Sequence, residues 1–364
     1  MSAFRVLCLL SLLPLAGCSQ TPPSNNTVPK ASSAESAAII SFEKKGAVVK
    51  RDQHGSATDL DLHQLTLSPE TLMMLAELKS LRVLNLAEAA FSDPSLAFLD
   101  FVSPQLVNLD LRGCEISNKA TAPIARFTGL RALRFSGKNG KTSIDDEGLK
   151  NLAACKQLKV LALDDLWIGT EALKSLADLK ELEELYLAGT VVDDESANVI
   201  SRFPKLKKLR LARTQIGDAS LETLSSCSTL EELDLSENSL ITNSGMAHLA
   251  KLTNLRKLNL WRVQISDDGV LLLAPLTKLD WLNLDNTKLS DPGLSTLKNM
   301  NALTFLHLGS TQITAAGAPA LFHLKFLKDL KLTRTALGAD NAAVAELQKN
   351  LPDTTIQTEY VEKE

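Results

Sequence analysis

Leucines recur along most of the chain in a fixed pattern of apolar and polar positions. Segments beginning at Leu182, Leu206 and Leu279 share the pattern L-x-x-L-x-L-x-x-T-x-I-x-D-x-x-L-x-x-L-x-x-L. Nine of the twelve intervals between units are 24 residues long, two are 25 and one is 28. This regular spacing predicts a repeat architecture. The units begin at Ala57, Leu81, Leu106, Leu130, Leu158, Leu182, Leu206, Leu230, Leu255, Leu279, Leu303 and Leu327, and a closing strand is predicted from Leu351.

Each unit combines two kinds of hydrophobic periodicity. Its first half alternates with period two, as a strand does, whereas later leucines such as Leu221 and Leu224 recur at helical spacing. Each unit is therefore predicted to form a strand, a loop and a helix. Side chains at positions 3, 5 and 7 of a unit should point away from the core, and equal positions of successive units should lie side by side.

The pattern resembles that of the leucine-rich-repeat family over nearly everything after residue 45. Its T-x-I-x-D-x-x-L half is similar to the bacterial and cysteine-containing subclasses. The resemblance implies an α/β repeat solenoid, a curved stack with a parallel β-sheet on the concave face and helices on the convex face. The repeats are predicted at 57–350 and an N-terminal cap at 38–56. The segment from Ser33 to Asp52 is predicted to form a short helix followed by a strand, which would cover the first unit. A helix from Asn341 to Asn350 and a closing strand and tail at 351–364 are predicted to cover the other end.

Composition fits a repeat protein and excludes one class of partner. Apolar residues form 45% of the chain but aromatic residues only 4%, so the core must be mostly aliphatic. A net charge of −4 provides no basic field for phosphate backbones, and nucleic acid is not an expected partner.

The N-terminus has the features of a signal peptide at 1–17. Arg5 precedes an apolar run from Val6 to Leu15, which is about half the ~20 residues that a membrane-spanning helix needs. The terminal Leu15-Ala16-Gly17-Cys18 resembles the lipobox of bacterial lipoprotein precursors, which implies lipid attachment at Cys18; the alternative is an ordinary secretory signal. The residue after Cys18 is Ser19, which resembles lipoproteins that are sorted to the outer membrane. A cell-envelope location is therefore expected, at the outer rather than the inner membrane. The polar segment 18–37 is predicted to be a disordered tether.

Polar residues that recur within the units have predicted structural roles. Asp194, Asp218, Asp267 and Asp291 precede helical leucines, where a carboxylate can accept the N–H groups of the first helical turn. Threonines at position 9 can satisfy loop backbone groups of adjacent units. Cys114 shares position 9, and Cys155 and Cys227 share a core position three units apart, so all three cysteines are expected to be buried and unbridged.

The chain shows no catalytic or cofactor motif. The segment from Gly137 to Thr142 has two residues, rather than four, between its first glycine and the Gly-Lys pair, and so is not a phosphate-binding loop. It accounts for the 28-residue interval and is predicted to project from one rim, either as a binding loop or as a tolerated surface loop. No close histidine spacing indicates a metal site. We expect neither a cofactor nor enzyme activity.

The concave face offers the best candidate site. Position 3 reads Glu184, Lys208, Glu232 and Lys257, which indicates an ion-pair ladder, and then changes to aromatic residues. We predict that a protein, peptide or glycan partner binds the C-terminal half of this face, and the alternative function is inhibition or regulation of a secreted or envelope enzyme. The rings could instead only cover the sheet, in which case the rim loop of Gly137, Lys138, Asn139, Gly140 and Lys141 becomes the better candidate. The predicted binding residues are Trp261, Trp281, Phe305, Asn259, Asn283, Asp285 and His307.

Overall fold

A computed structural model of the chain describes residues 31–91 and 93–360. The predicted signal peptide, Cys18 and most of the predicted tether lie outside these residues, so the statements about them stay predictions. Within the described ranges, no helix is both long enough and apolar enough to cross a bilayer.

The described strands form one open sheet in which strand order follows chain order. β2 to β14 are parallel, whereas β1 pairs with β2 in the antiparallel direction. Equal positions of successive units pair as predicted, for example Glu184 with Lys208 and Lys208 with Glu232. The strands are β1 (Val48–Arg51), β2 (Ala57–Asp61), β3 (Val83–Asn85), β4 (Asn108–Asp110), β5 (Ala132–Ser136), β6 (Val160–Asp164), β7 (Glu184–Tyr186), β8 (Lys208–Arg210), β9 (Glu232–Asp234), β10 (Lys257–Asn259), β11 (Trp281–Asn283), β12 (Phe305–His307), β13 (Asp329–Lys331) and β14 (Thr355–Gln357).

A short helix on the other side of the stack follows most strands. In several units this helix is a 3-10 helix instead of an α-helix. One of them contains Pro319, and proline cannot donate the backbone hydrogen bond that an α-helix requires. The α-helices are α1 (Ser33–Lys44), α2 (Pro69–Met73), α3 (Thr121–Ile124), α4 (Asp146–Leu149), α5 (Thr170–Leu176), α6 (Asp194–Ile200), α7 (Asp218–Leu224), α8 (Asn243–Leu249), α9 (Asp267–Leu271), α10 (Ala336–Ala339) and α11 (Asn341–Asn350). The 3-10 helices are Met74–Glu77, Asp93–Asp100, Asn118–Ala120, Lys150–Ala154, Asp291–Asn299 and Ala315–Leu321.

The core is a continuous column of aliphatic side chains between sheet and helices. Leu258 and Leu260 are fully buried, whereas Asn259 between them is half-buried on the other face of the sheet. The predicted phase of the strands is therefore correct, and the prediction of a curved α/β solenoid is confirmed.

Both ends of the stack differ in detail from the sequence prediction. α1 begins at Ser33, where the capping helix was predicted, because the Ser32 hydroxyl accepts the N–H of Glu35 and Phe42 is buried against the first unit. Only the boundary at residue 37, drawn for the tether, differs. At the other end, β14 pairs Thr355 with Asp329. The closing strand thus lies two residues later than an interval of 24 predicts, since α11 continues to Asn350 and a turn precedes the strand.

The recurring aspartates join neighbouring units rather than capping their own helices. The Asp194 carboxylate accepts the N–H of Gly217 at 2.8 Å, and Asp267 accepts the N–H of Ser290 at 2.8 Å, in each case one unit further along the chain. Asp218 and Asp291 bind Thr242 and Thr314 in the same way. The prediction that these carboxylates accept the first turn of their own helix was wrong.

Glycines in the next helix make room for these carboxylates. A Cβ atom at Gly245 would collide with the Asp218 carboxylate, and one at Gly293 would collide with that of Asp267. Gly317 has the same relation to Asp291. Asp218, Asp267 and Asp291 each pack against a glycine of the following unit, whereas Asp194 accepts the N–H and hydroxyl of Ser220 at that position. We call this contact between an aspartate and the following unit the aspartate staple.

Threonine and cysteine side chains at position 9 satisfy backbone carbonyls near the strand ends. Thr287 and Thr311 donate to the carbonyls of Leu284 and Leu308, in their own units, so the predicted contact with adjacent units was wrong for them. The Cys114 thiol does reach an adjacent unit, donating to Leu86, and burial raises its pKa to about 12. Cys114, Cys155 and Cys227 are buried and unbridged, as predicted.

Candidate binding face

Ion pairs cover the central part of the concave sheet. Lys208 lies 3.1 Å from Glu184 and 3.8 Å from Glu232, which also pairs with Lys257 at 3.1 Å. The predicted ladder at position 3 is therefore present. Because these groups are partly exposed, each pair adds little stability. Arg210 continues the pattern at position 5, between Asp164 and Asp234.

An aromatic stack follows the ion pairs along the sheet. The rings of Trp281 and Phe305 are parallel within 3° and their centroids are 4.8 Å apart. His307 meets the edge of Phe305 at 6.4 Å, and the ammonium of Lys331 lies 5.6 Å from the centre of the same ring. Phe305 is thus enclosed by its neighbours, whereas Trp281 also borders an open groove of about 220 Å³ on the side of Lys257.

Other predicted binding residues have structural contacts of their own. The side-chain oxygens of Asn259 and Asn283 accept the N–H groups of Trp261 and Asp285, two residues further on, which turns the chain at the end of the strand. Trp261 packs against the guanidinium of Arg262, 5.5 Å from its ring centre, and not within the stack. The structure therefore separates Trp261 from the other two aromatic residues.

Asp285 and His307 lie beside the stack, towards the end of the sheet. Asp285 Oδ2 is 3.9 Å from His307 Nε2, and the buried Oδ1 has no hydrogen-bond partner among the described residues. Burial lowers the pKa of His307, the charge of Asp285 raises it, and Lys331 lowers it, with a net decrease. The net decrease favours the neutral imidazole.

The rim loop lies at the edge where the strands end. The insertion also lengthens the strands beside it, since Phe135 and Ser136 pair with Leu163 and Asp164. Asn139 donates its side-chain amide to the carbonyl of Gly113 at 2.8 Å, which fixes the loop against the preceding unit. Its two lysines, Lys138 and Lys141, border a wide groove of about 860 Å³ on the N-terminal half.

Sequence reasoning missed several residues of this face. Tyr186 and Arg210 line the groove beside Trp281, and the unbroken strand register could have predicted that they lie there. Trp167, with 77% of its surface exposed, lies in a loop outside positions 3, 5 and 7. No group of three or more histidine, cysteine or carboxylate side chains in the described part of the chain could hold a metal ion.

Known proteins share this architecture. The family described as Leucine rich repeat matches residues 204–266. This match covers only part of the chain, but the fold of the described residues is the curved leucine-rich-repeat stack expected from the repeat. No curated protein sequence matches it.

Among solved structures, an internalin from Listeria monocytogenes (inlF) superposes with a TM-score of 0.62 at 19% identity, over 93% of this chain and 100% of that chain. A second internalin, C2, from the same organism is 25% identical over 52% of this chain and 76% of its own, with a TM-score of 0.40. The plant peptide hormone receptor RGFR1, solved in complex with RGF2, is 17% identical over 85% and 59%, with a TM-score of 0.46. The first of these similarities supports the fold.

Proposed function

We propose that this protein captures a partner on the concave face of its C-terminal half and that it has no catalytic role. The observation that carries the proposal is the stack of Trp281 and Phe305. The stack follows the last ion pair of the concave sheet, that of Glu232 with Lys257. Trp281 also borders the groove that Tyr186 and Arg210 line. Aromatic side chains dominate binding energies because covering them removes apolar surface from water, at roughly 25 cal/mol per Å².

A double substitution, Trp281→Ala with Phe305→Ala, tests this proposal. Capture of a partner from envelope extract should be lost, while the thermal midpoint should fall much less than for a core substitution, because both rings are only partly buried and lie on the face opposite the core. The control is Leu271→Ala with Leu272→Ala, since it removes two exposed apolar side chains from the helical side and leaves the concave face intact. Retained capture with a large loss of stability would assign the stack to structure. If the captured protein is an enzyme whose activity falls on addition of this protein, the function is inhibition.

We further propose that the solenoid is tethered to the outer membrane by lipid at Cys18. The support is the sequence Leu15-Ala16-Gly17-Cys18 and the polar segment before α1. Several acyl chains on one residue hold a protein stably to a bilayer, whereas one chain is marginal. The variant Cys18→Ser should therefore move the protein out of the detergent phase in a two-phase partition. The control Cys8→Ser should not, and equal partitioning of Cys18→Ser and the unaltered protein would refute the tether.

A further inference from the structure

Unpaired lysines are concentrated at one edge of the stack, where the chain turns from a helix into each of the last five strands, β10 to β14. All six are exposed, and no carboxylate among the described residues lies within 4 Å of their ammonium groups. The Nζ atoms of Lys278 and Lys325 instead donate to neutral oxygens, the side-chain oxygen of Asn254 and the carbonyl of Asn350. We call this surface the basic edge, and its lysines are Lys251, Lys278, Lys298, Lys325, Lys328 and Lys349.

The basic edge is positive although the chain as a whole is negative. The turns before these five strands contain seven lysine or arginine residues and three carboxylates, a net charge of +4, whereas the whole chain has a net charge of −4. One of the three carboxylates, Asp280, is already paired with Arg256. The positive charge is therefore local to this edge. The turns span residues 250–256, 274–280, 298–304, 322–328 and 346–354.

One large aromatic side chain lies among these lysines. Phe326, between Lys325 and Lys328 in the chain, has 68% of its surface exposed. The equivalent position in other units holds a polar or small residue, such as Asn254 or Ala302. Exposed phenylalanine beside lysines is typical of surfaces that bind membranes, because the ring enters the boundary between headgroups and acyl chains while the cations attract anionic lipids.

The segment that precedes α1 leaves the stack at the same edge. The N–H of Ala31 donates to the carbonyl of His54 at 3.2 Å, in the turn that leads into β2. Only 14 residues separate the proposed lipid at Cys18 from α1. A lipid at Cys18 would therefore draw this edge, rather than the opposite one, towards the bilayer.

We propose that the basic edge docks on the surface of an anionic phospholipid bilayer, with its lysines against the phosphates and Phe326 among the headgroups. The lysines spread over four strand spacings of about 4.8 Å, about 19 Å in all, so they match a charged plane rather than one small anion. The concave face then stays open to its partner. The proposal rests on the proposed tether, because it assigns the orientation of the tethered solenoid.

Energy transfer from a fluorescent label to an acceptor on the lipid headgroups tests this orientation. The label is attached at Thr277→Cys on the basic edge or at Gln264→Cys on the opposite edge of the same unit; both positions are exposed, whereas Cys114, Cys155 and Cys227 are buried. The lipidated protein is reconstituted in vesicles of phosphatidylcholine with or without phosphatidylglycerol. With phosphatidylglycerol, transfer from position 277 should exceed transfer from position 264. Without it, or at high salt, the difference should disappear.

Variants of the edge separate its charges from its aromatic ring. A lysine near an anionic surface strengthens binding roughly fivefold, so Lys325→Gln with Lys328→Gln should lower the ratio of docked to undocked protein about 25-fold. Lys138→Gln with Lys141→Gln is the matched control, because it removes the same charge from the exposed rim loop on the opposite edge and should keep the difference in transfer. Phe326→Ser should lower the docked ratio about fivefold without changing its dependence on salt.

Equal transfer from positions 277 and 264 on anionic vesicles would overturn the proposal, as would a difference that survives Lys325→Gln with Lys328→Gln. If the basic edge approaches the bilayer only after envelope extract is added, its partner is an acidic protein and the bilayer assignment is wrong. Failure of the tether is a separate result, because the protein would then be absent from pure phosphatidylcholine vesicles while its docking on anionic vesicles could still be measured.

Discussion

Replacing Asp267 by alanine should destabilise the contact between two units rather than one helix. The carboxylate accepts the N–H of Ser290 at 2.8 Å and its hydroxyl at 2.5 Å. Hydrogen bonds to charged groups contribute about 1.5–3 kcal/mol each, so removing both should cost about 3 kcal/mol or more. The measurement is the free energy of unfolding from urea titration followed by circular dichroism.

The adjacent Asp268 provides the matched control. It lies in the same first turn of α9 but is exposed and makes no described side-chain hydrogen bond. Asp268→Ala should therefore cost only the interaction with the helix dipole, about 0.3–1 kcal/mol. A double-mutant cycle of Asp267→Ala with Ser290→Ala should show coupling, because both changes remove the same hydrogen bond. Equal losses for Asp267→Ala and Asp268→Ala, with no coupling to Ser290, would refute the aspartate staple and restore the own-helix interpretation.

Two other predictions concern the packing of the stack, and the same unfolding measurement checks both. Leu258→Ala should cost about 2–5 kcal/mol because its side chain is fully buried, whereas Asn259→Ala should cost much less, since its oxygen only closes a turn; equal losses would place the strand in the wrong phase. Gly293→Ala should lower the unfolding midpoint markedly because the new methyl group collides with Asp267, whereas Gly129→Ala should leave it nearly unchanged; a tolerated Gly293→Ala would mean that the carboxylate moves freely.

The sequence predicts this fold well because each unit repeats one short periodic pattern. The spacing of leucines alone places Leu258 inside the core and Asn259 outside it, and the strand pairs follow unit by unit. The offset of β14 could not be predicted, since it depends on the turn between α11 and the strand. Contacts between units also could not be predicted from the spacing. The position of Asp267 in the repeat is the same whether its carboxylate accepts an N–H of its own helix or one of the next unit.

The candidate site could be predicted only in part from the sequence, for the same reason. Position 3 correctly predicts that Trp281 and Phe305 are neighbours, since equal positions pair across parallel strands. Whether two neighbouring rings stack, and which side of the stack remains open, depends on side-chain rotation and on Lys331 one strand further on.

The most direct test of partner binding on the concave face is site-specific photocrosslinking. A photoreactive phenylalanine analogue replaces either Trp281 on the concave sheet or Leu272, which is exposed at the end of α9 on the helical side. After irradiation with envelope extract, position 281 should give one discrete crosslinked product and position 272 should give none. Crosslinking from position 272 but not from position 281 would contradict the assignment of the binding face.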